Sequence, residues 1–156
     1  MIARSERILS SGDVPGAPGR PERLGRRPSA TVPAARPILV VDDDPEILAM
    51  LRDFLEGEGL AVRTAVNGAE ALDMLDTVSP SLVLLDMRMP VLDGWGFAAQ
   101  LGDRRESYPI VVMTAAESAR RWAEEIGANG YIAKPFDVNE LLQVIERHRS
   151  RDSRPN

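Results

Sequence analysis

The stretch LVLLDMRMPVLDGWGFAAQL, residues 82–101, holds the pattern on which the fold turns. Four apolar residues run into an acid, Asp86, and from Gly94 apolar residues recur at helical spacing. An unbroken apolar run of this length fits a strand buried on both faces. Gly94-Trp95-Gly96 reads as a helix start and not as a nucleotide loop.

The same unit recurs on either side. Strands are expected over Ile38–Asp42, Ala61–Ala65, Leu82–Asp86, Ile110–Thr114 and Tyr131–Ala133, and helices over Pro45–Glu58, Gly68–Thr77, Gly94–Leu101, Glu117–Ile126 and Val138–His148. Asp44 before Pro45 places a cap ahead of a first-turn proline, while Asn67 with Glu70 and Asp137 with Glu140 have capping-box spacing. Five βα units in series predict an α/β fold: a doubly wound, three-layer sandwich with a parallel sheet between helices, since each right-handed crossover returns a helix to the sheet.

The whole chain has 156 residues, 44% of them hydrophobic and 28% charged, enough for one domain with tails. Residues 1–36, rich in Pro, Gly, Ser and Arg, read as a flexible leader, although an organelle transit sequence or a start codon placed too far upstream fits them also. Residues 37–148 read as the domain and 149–156 as a short basic tail. The leader carries seven Arg against three acids and the end from Arg147 four against one, so the formal −5 rests on an acidic middle. Basic tails without interleaved aromatics give no expectation of nucleic-acid binding. The absence of cysteine excludes disulfides and thiolate chemistry. No apolar run approaches the roughly 20 residues of a membrane span, and no secretory signal opens the chain, so a cytoplasmic protein without membrane contact is expected.

In such a sheet, ligands bind beyond the carboxyl ends of the strands. There the sequence places Asp42, Asp43 and Asp44 after the first strand, Asp86 at the third, Thr114 at the fourth and Lys134 just after the fifth. Singly these are a cap, a strand threonine and a solvated lysine. Together they crowd carboxylates that raise one another's pKa, a repulsion that a hard cation such as Mg2+ relieves while leaving positions open for phosphate oxygens. Asp86 is then a nucleophile for phosphorus, with Mg2+, Lys134 and the Thr114 hydroxyl each taking one phosphoryl oxygen. Lys134 is the only lysine among 19 basic residues, and a compact ammonium suits a small site better than a guanidinium fork. The Lys134–Pro135 bond is a candidate cis peptide.

ILVVDDD, LVLLDMRMPVLDG, IVVMTA and YIAKPF resemble, in order and spacing, the motifs of response-regulator receiver domains of two-component signalling, from about Pro37 to His148. The resemblance implies a flavodoxin-like (βα)5 fold with strand order 2-1-3-4-5. It also implies Mg2+ on Asp42, Asp43, Asp86 and the backbone carbonyl of Arg88, and Asp86 phosphorylated by a histidine kinase or phosphotransfer protein. Thr114 and Lys134 bind the phosphoryl group, and Thr114 with Tyr131 forms a switch that reshapes the face of the fourth helix, fifth strand and fifth helix. By the same resemblance the chain is a signalling phosphoacceptor and not an enzyme in the usual sense. Arg88 and Ala116 stand where members vary and tune dephosphorylation. Asp44 is left to the helix cap and Trp122 to the core, while His148 lacks the helical bundle of a phosphorelay histidine. No output domain is expected after His148, so output falls to an unidentified protein partner.

A haloacid-dehalogenase-like phosphohydrolase is the alternative, with Asp42 and Asp44 imitating its paired aspartates. It needs a further acidic pair beyond the lysine, where Asp137 and Glu140 instead start a helix, and it has no use for Asp86. A receiver-like binding module that is never phosphorylated is the third reading.

Overall fold

The computed structural model describes residues 35–149. The leader expected over 1–36 and the tail over 149–156 lie outside that range except for residues 35, 36 and 149. Arg36 is tied to the domain: its guanidinium donates to the carbonyls of Ser79 (3.1 Å) and Pro80 (2.7 Å).

Five strands, β1 (Ile38–Val41), β2 (Val62–Ala65), β3 (Leu82–Asp86), β4 (Ile110–Ala115) and β5 (Gly130–Lys134), form one sheet of order β2-β1-β3-β4-β5 with every neighbouring pair parallel. The helices are α1 (Pro45–Gly57), α2 (Gly68–Met74), α3 (Gly94–Leu101), α4 (Ala116–Ile126) and α5 (Val138–Arg149). Alternate residues of the strands feed two cores. Leu39, Val41, Val83, Leu85 and Val112 pack with Ala71 of α2, Phe97 of α3 and Trp122 of α4. Ile38, Val40, Leu84, Val111 and Ile132 face the other way, against Leu51 and Leu55 of α1 and Leu141 and Ile145 of α5. Each fully buried aliphatic side chain contributes about 1.5–3 kcal/mol of transfer free energy, so the sheet interior is the rigid platform for whatever its edge carries.

The caps hold the helices in place over that edge. Asp44 accepts from the Glu46 N–H (2.9 Å). At α2 the Asn67 cap accepts from Glu70 N–H, and the Glu70 carboxylate reaches past the cap to accept from Val66 N–H. At α5 the Asp137 carboxylate accepts from Asn139 N–H instead, one position short of Glu140.

Boundaries differ from the sequence expectation in particular ways. β1 stops at Val41, leaving Asp42 just beyond it, and β5 takes in Lys134 as its last residue. Helix α2 ends at Met74 and not at Thr77, because Thr77 and Val78 turn back onto the Met74 carbonyl ahead of Pro80. A 3-10 turn over Gly102–Ser107, unforeseen in the sequence, joins α3 to β4. Gly127 ends α4 in the left-handed region at φ 70°, a conformation that favours glycine, and the Arg105 guanidinium of the 3-10 turn caps the freed carbonyls of Ile126 and Gly127.

Candidate functional site

Parallel pairing delivers the strand ends to one edge. Asp86 lies beside Met113 and Lys134 beside Ala115 in the sheet register, which sets Thr114, itself buried, between the acid and the ammonium along that edge. Asp42 leaves β1 on the neighbouring side of β3. Gly94 permits the loop after β3 to fold back this tightly: a Cβ there would meet the Met87 Cα at 2.9 Å and the Asp86 carbonyl oxygen at 3.0 Å.

Asp42 is only 1% exposed, and its carboxylate is held from two sides. The Asp44 N–H donates to Oδ1 (3.0 Å) and the Lys134 ammonium to Oδ2 (2.8 Å). Asp86, 7% exposed, accepts from the Met87 N–H through Oδ1 (2.9 Å), and Lys134 Nζ stands 3.6 Å from the same oxygen. Lys134 therefore bridges the two buried acids, with the tighter contact on Asp42. Asp43 is exposed.

Burial first, and then the Asp42 carboxylate, push the Asp86 carboxyl up to about 6; Lys134 and the Met87 N–H pull down against them, and Asp43 adds a smaller upward push. Burial also works against the charge of Lys134. The hydrogen bond to Asp42 and the fields of Asp42 and Asp86 outweigh it and hold the ammonium above its ordinary value.

One carboxylate oxygen each from Asp42, Asp43 and Asp86 lie within 4.8 Å of one another. Ligands of an octahedral ion with bonds of about 2.1 Å stand roughly 3–4 Å apart, so this cluster of hard oxygen donors fits a small divalent cation with minor adjustment. Lys134 alone leaves the cluster with surplus negative charge, which is what such a cation neutralises.

Every residue picked out at the strand ends except Tyr131 and Asp44 is thus gathered at this edge by geometry or by register. Asp44 does act as the cap of α1, and the Lys134–Pro135 bond is cis. Tyr131 lies on β5 with 45% of its surface exposed. Sequence reasoning missed a further cluster next to the edge. Trp122 is buried as expected, but the Arg88 guanidinium lies over its ring at 5.3 Å from the centroid, and Trp95 of α3 meets it in a T-shaped contact at 4.9 Å. The Trp95 indole N–H donates to Glu125 of α4 (2.9 Å). Only knowing which helix lies beside the loop after β3 would have revealed it.

Fold and edge together define a class: a doubly wound α/β domain whose strand ends bring two buried carboxylates and an exposed one close enough to hold a cation. Within that class, the profile of the response regulator receiver domain matches residues 38–146. The chain belongs to that family. It is 39% identical over 112 residues to the DNA-binding transcriptional regulator NtrC of Escherichia coli (strain K12), covering 70% of this chain and 24% of that protein. An uncharacterised 14.6 kDa protein of Leptolyngbya boryana is 37% identical over 115 residues, covering 71% of this chain and 88% of that one. The chain spans about a quarter of the length of the NtrC relatives it matches. Among solved structures, the receiver domain of sensor histidine kinase PA1611 from Pseudomonas aeruginosa PAO1, which has a magnesium ion coordinated in its active site cleft, superposes with a TM-score of 0.68 at 29% identity, over 75% of this chain and 99% of that one.

The chain is therefore a receiver domain of two-component signalling, with the flavodoxin-like strand order the resemblance implied. The phosphohydrolase reading finds no support in these matches. Among the described residues, no helix is long and apolar enough to cross a membrane.

Proposed function

We propose that this domain takes a phosphoryl group onto Asp86 from a histidine kinase or a histidine phosphotransfer protein. The observation that carries the reading is the buried Asp86 carboxylate, set within a three-acid cation cluster and bridged to Asp42 by the sole lysine of the chain.

Both of the Asp86 contacts fall on Oδ1, so Oδ2 is the oxygen that attacks phosphorus. The new O–P bond forms as the N–P bond of the phosphohistidine breaks; the electron pair stays with the imidazole, which takes up a proton. Asp42, Asp43, Asp86 and the backbone carbonyl of Arg88 would hold Mg2+, which would supply neutralisation of the charge on the phosphoryl group. Lys134 turns from Asp42 toward a second oxygen as the phosphoryl group arrives, and Thr114 donates its hydroxyl to the third. Tyr131 answers the movement of Thr114 by turning inward, which alters the face of α4, β5 and α5 for a downstream protein partner.

Incubation of the full chain with Mg2+ and acetyl phosphate, followed by intact mass, tests this. A single added phosphoryl group is expected, and none when chelator is present from the start or in Asp86→Asn. No adduct, together with failure to bind beryllofluoride in the presence of Mg2+, would leave an acidic binding module in its place.

A further inference from the structure

Beyond the end of β3, burial alternates along the first residues of the loop. Met87 and Met89 are buried while Arg88, two residues past Asp86, and Pro90 are exposed. The Arg88 guanidinium nevertheless rests on another element, over the Trp122 ring of α4. Trp122 is in turn fixed edge-on by Trp95, whose N–H is held by Glu125, so the cation sits on a platform tied to both α3 and α4. Arg121 approaches the same ring at 6.0 Å and pairs with Glu125 at 3.8 Å.

We propose that Arg88 is a mobile contact between the phosphorylation site and α4: it rests on Trp122 while Asp86 is unmodified and transfers to the phosphoryl oxygens when Asp86 is modified. Trp122 is its positioning residue. The proposal rests on the phosphoacceptor reading of Asp86 and adds to it a second route by which α4 senses the modification, independent of Thr114 and Tyr131.

The relative strengths favour this exchange. A cation over an aromatic ring at an exposed site is a weak, solvent-screened attraction. A guanidinium meeting a doubly charged phosphoryl group makes paired, charge-assisted hydrogen bonds, for which its planar fork is shaped. Unmodified Asp86 offers a poorer target: it carries a single charge, and one of its two oxygens, Oδ1, already takes Lys134 and the Met87 N–H. Release of Arg88 uncovers the face of Trp122 and removes a tie between the β3–α3 loop and α4. The bland alternative is that Arg88 simply covers an aromatic face with its stem, in which case the stack ignores the state of Asp86.

Trp95 and Trp122 are the only two tryptophans in the chain, so Trp95→Phe leaves Trp122 as the sole indole reporter. The full chain in this background is titrated with beryllofluoride and Mg2+ while fluorine NMR measures how much adduct has formed. At equal adduct occupancy, the change in Trp122 emission is expected to be several-fold smaller in Arg88→Ala and largely restored in Arg88→Lys. An equal change in Arg88→Ala, or none in the Arg88 protein despite a resolved adduct, overturns the proposal alone. Failure to form any adduct overturns the Asp86 reading and the proposal with it. Repeating the comparison with both tryptophans present guards against damage to folding by Trp95→Phe, with the same outcomes deciding.

Discussion

Leu85 and Asp86 are consecutive residues at the end of β3, and both are buried, yet their surroundings oppose each other. Leu85 is enclosed by apolar side chains from the sheet and the helices on one face. Asp86 shares its burial with the Asp42 carboxylate, has Asp43 close by, and has one ammonium to divide with Asp42. The interiors of β1 and β3 stabilise the fold by burial, while Asp42 just beyond β1 and Asp86 at the end of β3 put like charges where burial makes them costly. The apolar platform of β1, β3 and β4 lies behind this edge, and the charge conflict there is of the kind a cation relieves.

Substitution on either side of that boundary should act in opposite directions. Leu85→Ala should destabilise the domain by about 3 kcal/mol, the range for a large-to-small change in a tight core, read from urea unfolding. Asp86→Asn should do the reverse in metal-free protein at pH 7, raising stability by on the order of 2 kcal/mol because it removes a buried carboxylate whose ionisation is resisted. A destabilising Asp86→Asn would break the comparison.

The pH dependence follows from the same charge. With its carboxyl raised to about 6 in the folded state from 3.8, Asp86 holds its proton more tightly folded than unfolded between those values. Its stabilising contribution is therefore complete below about pH 4 and is lost as pH rises through 6. Unfolding in chelator across this window should show that loss in the unaltered protein and a flatter profile in Asp86→Asn; equal profiles would contradict the assignment of the strain to Asp86.

Asp44 gives a smaller and sharper contrast, since it stands beside Asp42 and Asp43 but belongs to the helix. Asp44→Ala should cost about 1 kcal/mol through the lost α1 cap. It should leave Mg2+ affinity, measured by calorimetry, within about twofold, because the N–H that holds Asp42 is backbone and survives the change. A large loss of affinity would make Asp44 part of the cation cluster.

The same boundary explains what was legible in the sequence. Apolar runs ending in an acid, a threonine or a lysine specify both a buried parallel strand and the chemistry at its end, so the gathering of Asp42, Asp43, Asp86, Thr114 and Lys134 was legible in local patterns joined by topology, while the strand order came from the family resemblance and not from those patterns. Boundaries shifted by a residue or more where flanking backbone decides the matter, as where α2 stops at Met74. The Arg88, Trp122 and Trp95 cluster and the Arg105 clasp on α4 were hidden for another reason: each joins a loop or turn to a helix far along the chain, and no periodicity encodes the angle at which they meet.

The most direct test of the whole account is to find which residue carries the phosphoryl group. After reaction with acetyl phosphate and Mg2+, borohydride converts an aspartyl phosphate to homoserine, and peptide mass mapping locates it. The account predicts homoserine at position 86 alone. Homoserine at 42, 43 or 44, or phosphate retained on a hydroxyl or imidazole, would contradict it.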